Sequence, residues 1–220
     1  MKKTIAIIPA RGGSKRLPRK NALTLGDHPL VAHSILYAKQ NAQIIDDIYV
    51  STDDSEIAEI AIKYGAKVIT RPPEISGDNE PTVSALKHVL LSVEQPVDSV
   101  VLLQPTNPLR PATLLTEAYA IFSSQEIESL FTVSRSHHKF GKILNNRFSP
   151  FNYEPGQRSQ DLEPLYFENG LLYIVKSDII MEEKIITDDA FPMIVDHPFG
   201  EVDIDTEEDF RYAEFLLNIK

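Results

Sequence analysis

"IAIIPARGGSKRLPRKN", Ile5–Asn21, decides how this chain is read. Its opening residues, Ile5 to Ile8, are apolar and β-branched without in–out alternation, which predicts a strand buried on both faces. Gly12 and Gly13 follow at once. They let the backbone turn sharply and bring its N–H groups close to a ligand. Ser14 adds a hydroxyl donor, and Arg11, Lys15, Arg16, Arg19 and Lys20 add cations suited to phosphate oxygens. A polyphosphate suits this set better than a single phosphate. The loop also sits where open α/β sheets bind ligands, outside the carboxyl end of a strand. It matches neither Walker A nor the G-x-G-x-x-G dinucleotide fingerprint.

The same alternation continues downstream. Leu30–Ala42 predicts a helix just after Pro29, and "IYVST" a second strand. A further helix is predicted with Asp53 as N-cap and Glu56 closing a capping box, its apolar face formed by Ile57, Ile60, Ala61 and Tyr64. Gly65 ends it. "AKVIT" reads as a strand, and Val83 to Val93 as a helix for which Thr82 is a candidate cap. "SVVLL" is a strand, Leu114–Phe122 a helix and "SLFTV" a strand. Strand and helix alternating at this spacing predict βαβ units: a Rossmann-like, mostly parallel α/β sheet with helices on both faces.

The rhythm breaks between 136 and 164, which is polar and turn-rich; "NNR" is placed to turn a hairpin between "KIL" and "FSPF". This stretch reads as an arm inserted into one domain spanning 1–220. Regular structure resumes at "LLYIV". The chain closes with a helix opened by Thr206, with Asp209 as capping partner.

Bulk properties narrow the function. The 220 residues carry a formal charge of −10, so generic binding to nucleic acid or an anionic membrane surface is not expected. The absence of Cys excludes a disulfide framework, a thiolate metal site and a cysteine nucleophile. Pro9 stops the first apolar run too early for a signal peptide, and no later run is long enough to span a membrane. A cytoplasmic location is the expectation.

"IAIIPARGGSKRLPRKN" resembles the opening motif of the CMP-sialic acid synthetases, the acylneuraminate cytidylyltransferases. "STDDSEIAEIAIKYGAKV", "RPPEISGDNEPT", "LLQPTNPLR", "RSQDLEPLYFENGLLYI" and "EVDIDTEEDF" are similar to that family's later blocks, in the same order. The resemblance implies that a sialic-acid-type nonulosonic acid attacks the α-phosphate of CTP through its anomeric hydroxyl, giving a CMP-sugar and pyrophosphate. It implies that Arg11, Gly12, Gly13, Ser14, Lys15, Lys20, Asn21 and Arg71 hold CTP, with Arg11 and Lys20 catalytic. It implies that Gln104, Arg158, Gln160 and Asn169 contact the sugar, and that Asp203 and Asp205 hold Mg²⁺ (or Mn²⁺). It also implies a homodimer in which the arm reaches the partner. The "SHHKFGKIL" stretch departs in spacing from the family's pattern around Lys142, and Glu168 stands where several relatives carry an apolar residue or proline. The extra C-terminal domain of some family members is not expected.

The residues themselves support part of this. An extended Val202–Asp205 puts both carboxylates on one face and Ile204 in the core. Two hard oxygen ligands there suit Mg²⁺ shared with substrate phosphates. A buried strand ending at Gln104 projects its amide at the sheet's carboxyl edge, while prolines fix the loop beyond. Arg110 reads as structural. Two alternatives stay open: a glycosyltransferase using Asp203-Ile204-Asp205 as a metal-binding D-x-D, or a cytidylyltransferase for another keto-sugar acid such as KDO or pseudaminate.

Overall fold

Ile5 and Ile7 join one hydrophobic cluster and Ala6 and Ile8 another, and all four are fully buried. The first strand therefore lies inside a sheet covered on both sides, which is the condition under which a strand loses alternation. The structure, a computed structural model, describes residues 3–125 and 127–218.

In chain order, β1 (Thr4–Pro9) leads through the basic loop to a small hairpin, β2 (Thr24–Leu25) and β3 (His28–Pro29). Then come α1 (Leu30–Gln40), β4 (Asp47–Thr52), α2 (Ser55–Lys63), β5 (Lys67–Thr70), α3 (Thr82–Ser92) and β6 (Ser99–Leu102). The second half contains α4 (Leu114–Ser124), β7 (Ser129–Ser136), β8 (Gly141–Leu144), β9 (Arg147–Pro150) and β10 (Leu165–Lys176). It ends with α5 (Ser177–Met181), β11 (Phe191–Ile194) and α6 (Glu207–Asn218). Seven strands form one sheet in the order β11-β7-β10-β6-β1-β4-β5. Only β10 runs antiparallel to its neighbours in that sheet. Helices α1, α2 and α4 pack on one face and α3 and α5 on the other. The fold is the Rossmann-like α/β arrangement read from the sequence. Among the described residues no helix is long and apolar enough to cross a membrane.

A third, smaller cluster joins Leu25, Leu30 and Leu109 to Val202, Ile204 and Leu216. It docks the segment before α6 against the loops that follow β1 and β6. Val202 and Ile204 are 1 % and 0 % exposed. Thr206 and Asp209 exchange hydrogen bonds as a capping box: the Thr206 amide donates to Asp209 Oδ2 at 2.8 Å, and the Asp209 amide donates to Thr206 Oγ1 at 3.3 Å.

Two caps differ from expectation. The cap of α2 is Asp54, whose Oδ1 accepts from the Ile57 amide at 3.0 Å. Asp53 instead accepts from the Gly12 amide at 2.9 Å, and Glu56 pairs with Arg19. Of two adjacent aspartates, the one directly before the first helical residue is extended and faces the orphan donors. Thr82 is likewise the first helical residue rather than a cap, because Pro81 occupies the N-cap position.

The expected hairpin is present, formed by β8 and β9. Asn145 and Asn146 both have left-handed φ (51° and 60°), the pair of conformations a tight two-residue turn between twisted strands requires. Asn tolerates that region. On β10, the register against β7 shifts between Glu168 and Tyr173, and Gly170 there has φ +71°. A Cβ at Gly170 would also collide with Asn107.

Replacing Asp54 by alanine is expected to cost about 1 kcal/mol in urea unfolding, the usual loss for a helix N-cap. Asp53→Ala should leave stability within about 0.5 kcal/mol of the parent. Equal losses for both would contradict the assignment.

Candidate active site

The loops after β1, β5 and β6 meet at the carboxyl edge of the sheet around a cleft of about 530 Å³. The first loop contributes Arg11, Ser14, Lys15, Lys20 and Asn21; the others bring Arg71 and Gln104, and Asp205 closes the rim. The fold thus gathers eight residues singled out from the sequence, spread from position 11 to 205.

Lys20 anchors the arrangement. It is 9 % exposed, and its Nζ donates to the Ile204 carbonyl at 2.7 Å and to Asp205 Oδ1 at 2.9 Å. Asn21 donates to the Arg11 carbonyl at 2.9 Å, so it fixes the loop from within. Gly12 has a steric reason to be glycine, since a Cβ would lie 2.6 Å from Asp54 Oδ2. A Cβ at Gly13 would meet nothing within 4 Å. Arg71 is buried, with Nε and Nη2 donating to the Ser51 hydroxyl and carbonyl at 3.1 and 2.8 Å. Burial pushes its guanidinium pKa down, and the charge of Asp53 partly offsets this.

Every cation of the loop faces a carboxylate. Arg11 lies 2.9 Å from Asp78, which Lys15 also contacts. Arg16 and Lys20 share Asp205, and Arg19 pairs with Glu56. A hydrogen bond from Lys15, reinforced by the charge of Arg11, holds the Asp78 carboxyl below the usual range. Arg19 is therefore turned away to α2, whereas Arg16 lines the cleft.

Asp203 and Asp205 flank the buried Ile204, as alternation requires. Burial raises the Asp203 pKa, and the nearby Asp205 charge adds to it, against a hydrogen bond from Thr106. A divalent cation would relieve that repulsion. No group of three or more His, Cys, Asp or Glu side chains is poised for a metal among the described residues. The chain would supply two carboxylates and leave the remaining positions to phosphate oxygens and water, a donor set that fits Mg²⁺.

The remaining expected sugar contacts are not brought to the cleft. Arg158 is in the arm, paired at 2.7 Å with Asp161, and Gln160 is exposed in the same short turn. Asn169 is 4 % exposed and committed internally: Thr132 Oγ1 donates to its Oδ1 at 2.6 Å, and its Nδ2 donates to Ser134 Oγ at 3.0 Å. Its carbonyl accepts from Asn107, which also donates to the Val202 carbonyl at 2.7 Å. Asn169 shapes the β10 irregularity from inside. Lys142, in β8, lies over the Phe151 ring.

Residues 5–218 match the sequence profile of the cytidylyltransferases. The chain belongs to the cytidylyltransferase family. It is accordingly a nucleotidyltransferase enzyme. Pseudaminic acid cytidylyltransferase of Campylobacter jejuni is 35 % identical over 226 aligned positions, covering 99 % of this chain and 97 % of that one. CMP-N,N'-diacetyllegionaminic acid synthase of Legionella pneumophila is 33 % identical, covering 98 % and 96 %. N-acylneuraminate cytidylyltransferase of Streptococcus agalactiae is 34 % identical over 96 % of this chain, which spans 52 % of that protein's length. Among solved structures, CMP:2-keto-3-deoxy-manno-octonic acid synthetase complexed with CTP superposes with a TM-score of 0.72 over 98 % of both chains; at 19 % identity this is a likeness of fold.

Sequence reasoning missed Asp78, the acidic partner of the cradle, which meets Arg11 and Lys15 only in the folded chain. Arg110, read from the sequence as structural, is held among backbone and side-chain groups. That guanidinium is buried, with Nε donating to the Leu171 carbonyl (2.6 Å), Nη1 to Ser34 Oγ (3.1 Å) and Nη2 to the Gln104 carbonyl (2.8 Å). Its charged group lies 5.6 Å from the centre of the Tyr37 ring. Burial pushes its pKa down to about 10, still cationic at neutral pH. Arg110 thus ties the Gln104 loop to the β10 irregularity.

Arg110→Ala should cost about 3 kcal/mol or more, because it opens a cavity and takes a donor from the buried Leu171 carbonyl. Urea unfolding measures this; a loss under about 1 kcal/mol would show that the guanidinium is not holding the loop.

Proposed function

We propose that this enzyme activates a sialic-acid-type nonulosonic acid with CTP, releasing pyrophosphate and forming the CMP-sugar. The observation that carries the reading is the convergence of Arg11, Lys15, Lys20, Gln104 and Asp205 on one cleft in a cytidylyltransferase-family chain. The names of the related enzymes, which act on pseudaminic, legionaminic and N-acylneuraminic acids, point to the same substrate class.

In this reading the triphosphate takes the place of the carboxylates that face the loop. Arg11 and Lys15 pass from Asp78 to phosphate oxygens, and the Gly13 amide and Ser14 hydroxyl add short-range donors, the Gly12 and Ser14 amides being held within the protein. Lys20, already held by Ile204 and Asp205, needs no rearrangement to face the developing charge. Arg71 lies across the same cleft beside the nucleotide. Gln104 orients the acceptor so that its anomeric oxygen stands in line with the α-phosphorus. That oxygen forms the new bond to phosphorus as the bond to the bridging oxygen of pyrophosphate breaks, and the hydroxyl proton passes to solvent water. Phosphoryl-type transfer needs mainly such positioning and charge stabilisation. Asp203 and Asp205 would hold Mg²⁺ (or Mn²⁺), which when bound supplies positive charge to the leaving group.

A homodimer accompanies the reading. Ile143 is 77 % exposed in β8, and Leu144, Phe148 and Phe151 are exposed around it. A second copy of this chain would cover that apolar patch. Arg158 and Gln160 leave from the same arm, which agrees with sugar contacts made across to the partner.

Purified protein with CTP, Mg²⁺ and a panel of N-acetylneuraminate, legionaminate, pseudaminate and KDO should release pyrophosphate with at least one sugar. Silence across the panel overturns the function. Asp205→Ala and Lys20→Ala should each lower kcat by at least about a hundredfold, and EDTA should abolish turnover until Mg²⁺ is restored. By light scattering the parent should have twice the chain mass, and Ile143→Asp with Phe148→Asp should convert it to monomer.

A further inference from the structure

A second cavity, of about 360 Å³, opens off the first and shares Pro81, Thr82 and Gln104 with it. If the phosphates lie along the basic loop, this cavity receives the acceptor. Val83, Leu102, Ile185 and Ile186 give it apolar walls, and its two charged lining residues, Glu168 and Glu183, are both acidic. Glu183 is answered by Lys87 at 2.7 Å. Among the described residues Glu168 has no ion pair; it accepts a hydrogen bond from the Tyr173 hydroxyl.

The backbone explains this contact. Glu168 and Tyr173 flank the β10 irregularity, where Gly170 takes its positive φ and Asn107 and Asn169 pin the strand. The detour brings the two side chains, five positions apart, together in one cavity. Tyr173 is buried, and burial followed by the Glu168 carboxylate raises its pKa, so it stays protonated. Its only proton points at Glu168. A phenol oxygen that has donated its proton retains lone pairs, and an ionised carboxylate has nothing else to offer. The corner therefore accepts and does not donate. It also repels the negative charges of the acceptor's own carboxylate and of the triphosphate.

We propose that the Glu168–Tyr173 corner determines acceptor specificity by reading an amide N–H on the sugar acid. It thereby favours N-acylated nonulosonic acids over those that present no donor at that point. This rests on the cytidylyl-transfer reading above. Glu168 is the discriminating group, and Tyr173 is a positioning residue that aims it. The acceptor's carboxylate then lies at the opposite end of the cavity, away from Glu168.

The test takes the N-acylated nonulosonic acid turned over fastest and replaces each acetamido group in turn by azide, which has no N–H. For one position the parent should lose about tenfold in kcat/KM, mainly through KM, the scale of one hydrogen bond to a charged group. Glu168→Ala should bring that ratio within about twofold of unity, and Glu168→Gln, which can turn its NH₂ to the cavity, should remove or reverse it. Tyr173→Phe, which leaves the carboxylate in place but no longer aimed, should give a ratio between those of the parent and Glu168→Ala. Glu168 is exposed, so these two variants should unfold at the parent's temperature. Equal use of acetamido and azido sugars by the parent, tenfold discrimination kept in Glu168→Ala, or a preference for KDO each overturns the inference and leaves cytidylyl transfer standing. Absence of pyrophosphate release with every sugar overturns both.

Discussion

One buried ammonium group joins the two ends of the chain. Lys20 Nζ bonds to a backbone carbonyl and a carboxylate 184 and 185 residues away. The loop after β1 is rich in glycine and charge, and this contact gives it a fixed floor. The Ile204 side chain, seated in the small third cluster, holds the same segment from the apolar side. Hydrophobic docking thus sets where Asp203 and Asp205 stand, and Lys20 sets how the loop stands relative to them.

The rest of the cradle is built for exchange. Arg11, Lys15 and Arg16 meet carboxylates at the exposed rim, where an ion pair contributes little. Such partners are given up at small cost to a ligand of higher charge. Lys20 and Arg71 lie deeper, and each also bonds to a backbone carbonyl, of Ile204 and of Ser51, which persists. The cleft therefore has a rigid half and an exchangeable half within one loop cluster.

Much of this was legible in the sequence because it depends on local pattern. A strand buried on both faces announces itself as an unbroken apolar run, and the capping box of α6 needs only Thr206 and Asp209. The Asn145–Asn146 turn is equally local. The Asp53 and Asp54 roles were not, since adjacent identical side chains differ only in which way the backbone points them. Asn169 reads as a sugar contact through its resemblance to a family motif; the hydrogen bonds of its amide to Thr132 and Ser134, which support β10 from inside, are not legible locally. Asp78 and Arg110 act through partners distant in sequence, and no periodicity reports such pairs. The antiparallel direction of β10 arises for a similar reason, from the long excursion through the arm.

Arg110 has one more consequence. Its charge is balanced by carbonyls, a hydroxyl and an aromatic face, with no carboxylate in the set. Mild acid therefore has no partner to neutralise there, and dissolved ions screen a buried group much less than an exposed one. The rim of the cradle, made of surface ion pairs, is sensitive to both. The molecule is thus divided by its electrostatics: a girder indifferent to the composition of the medium carries a fringe that registers it.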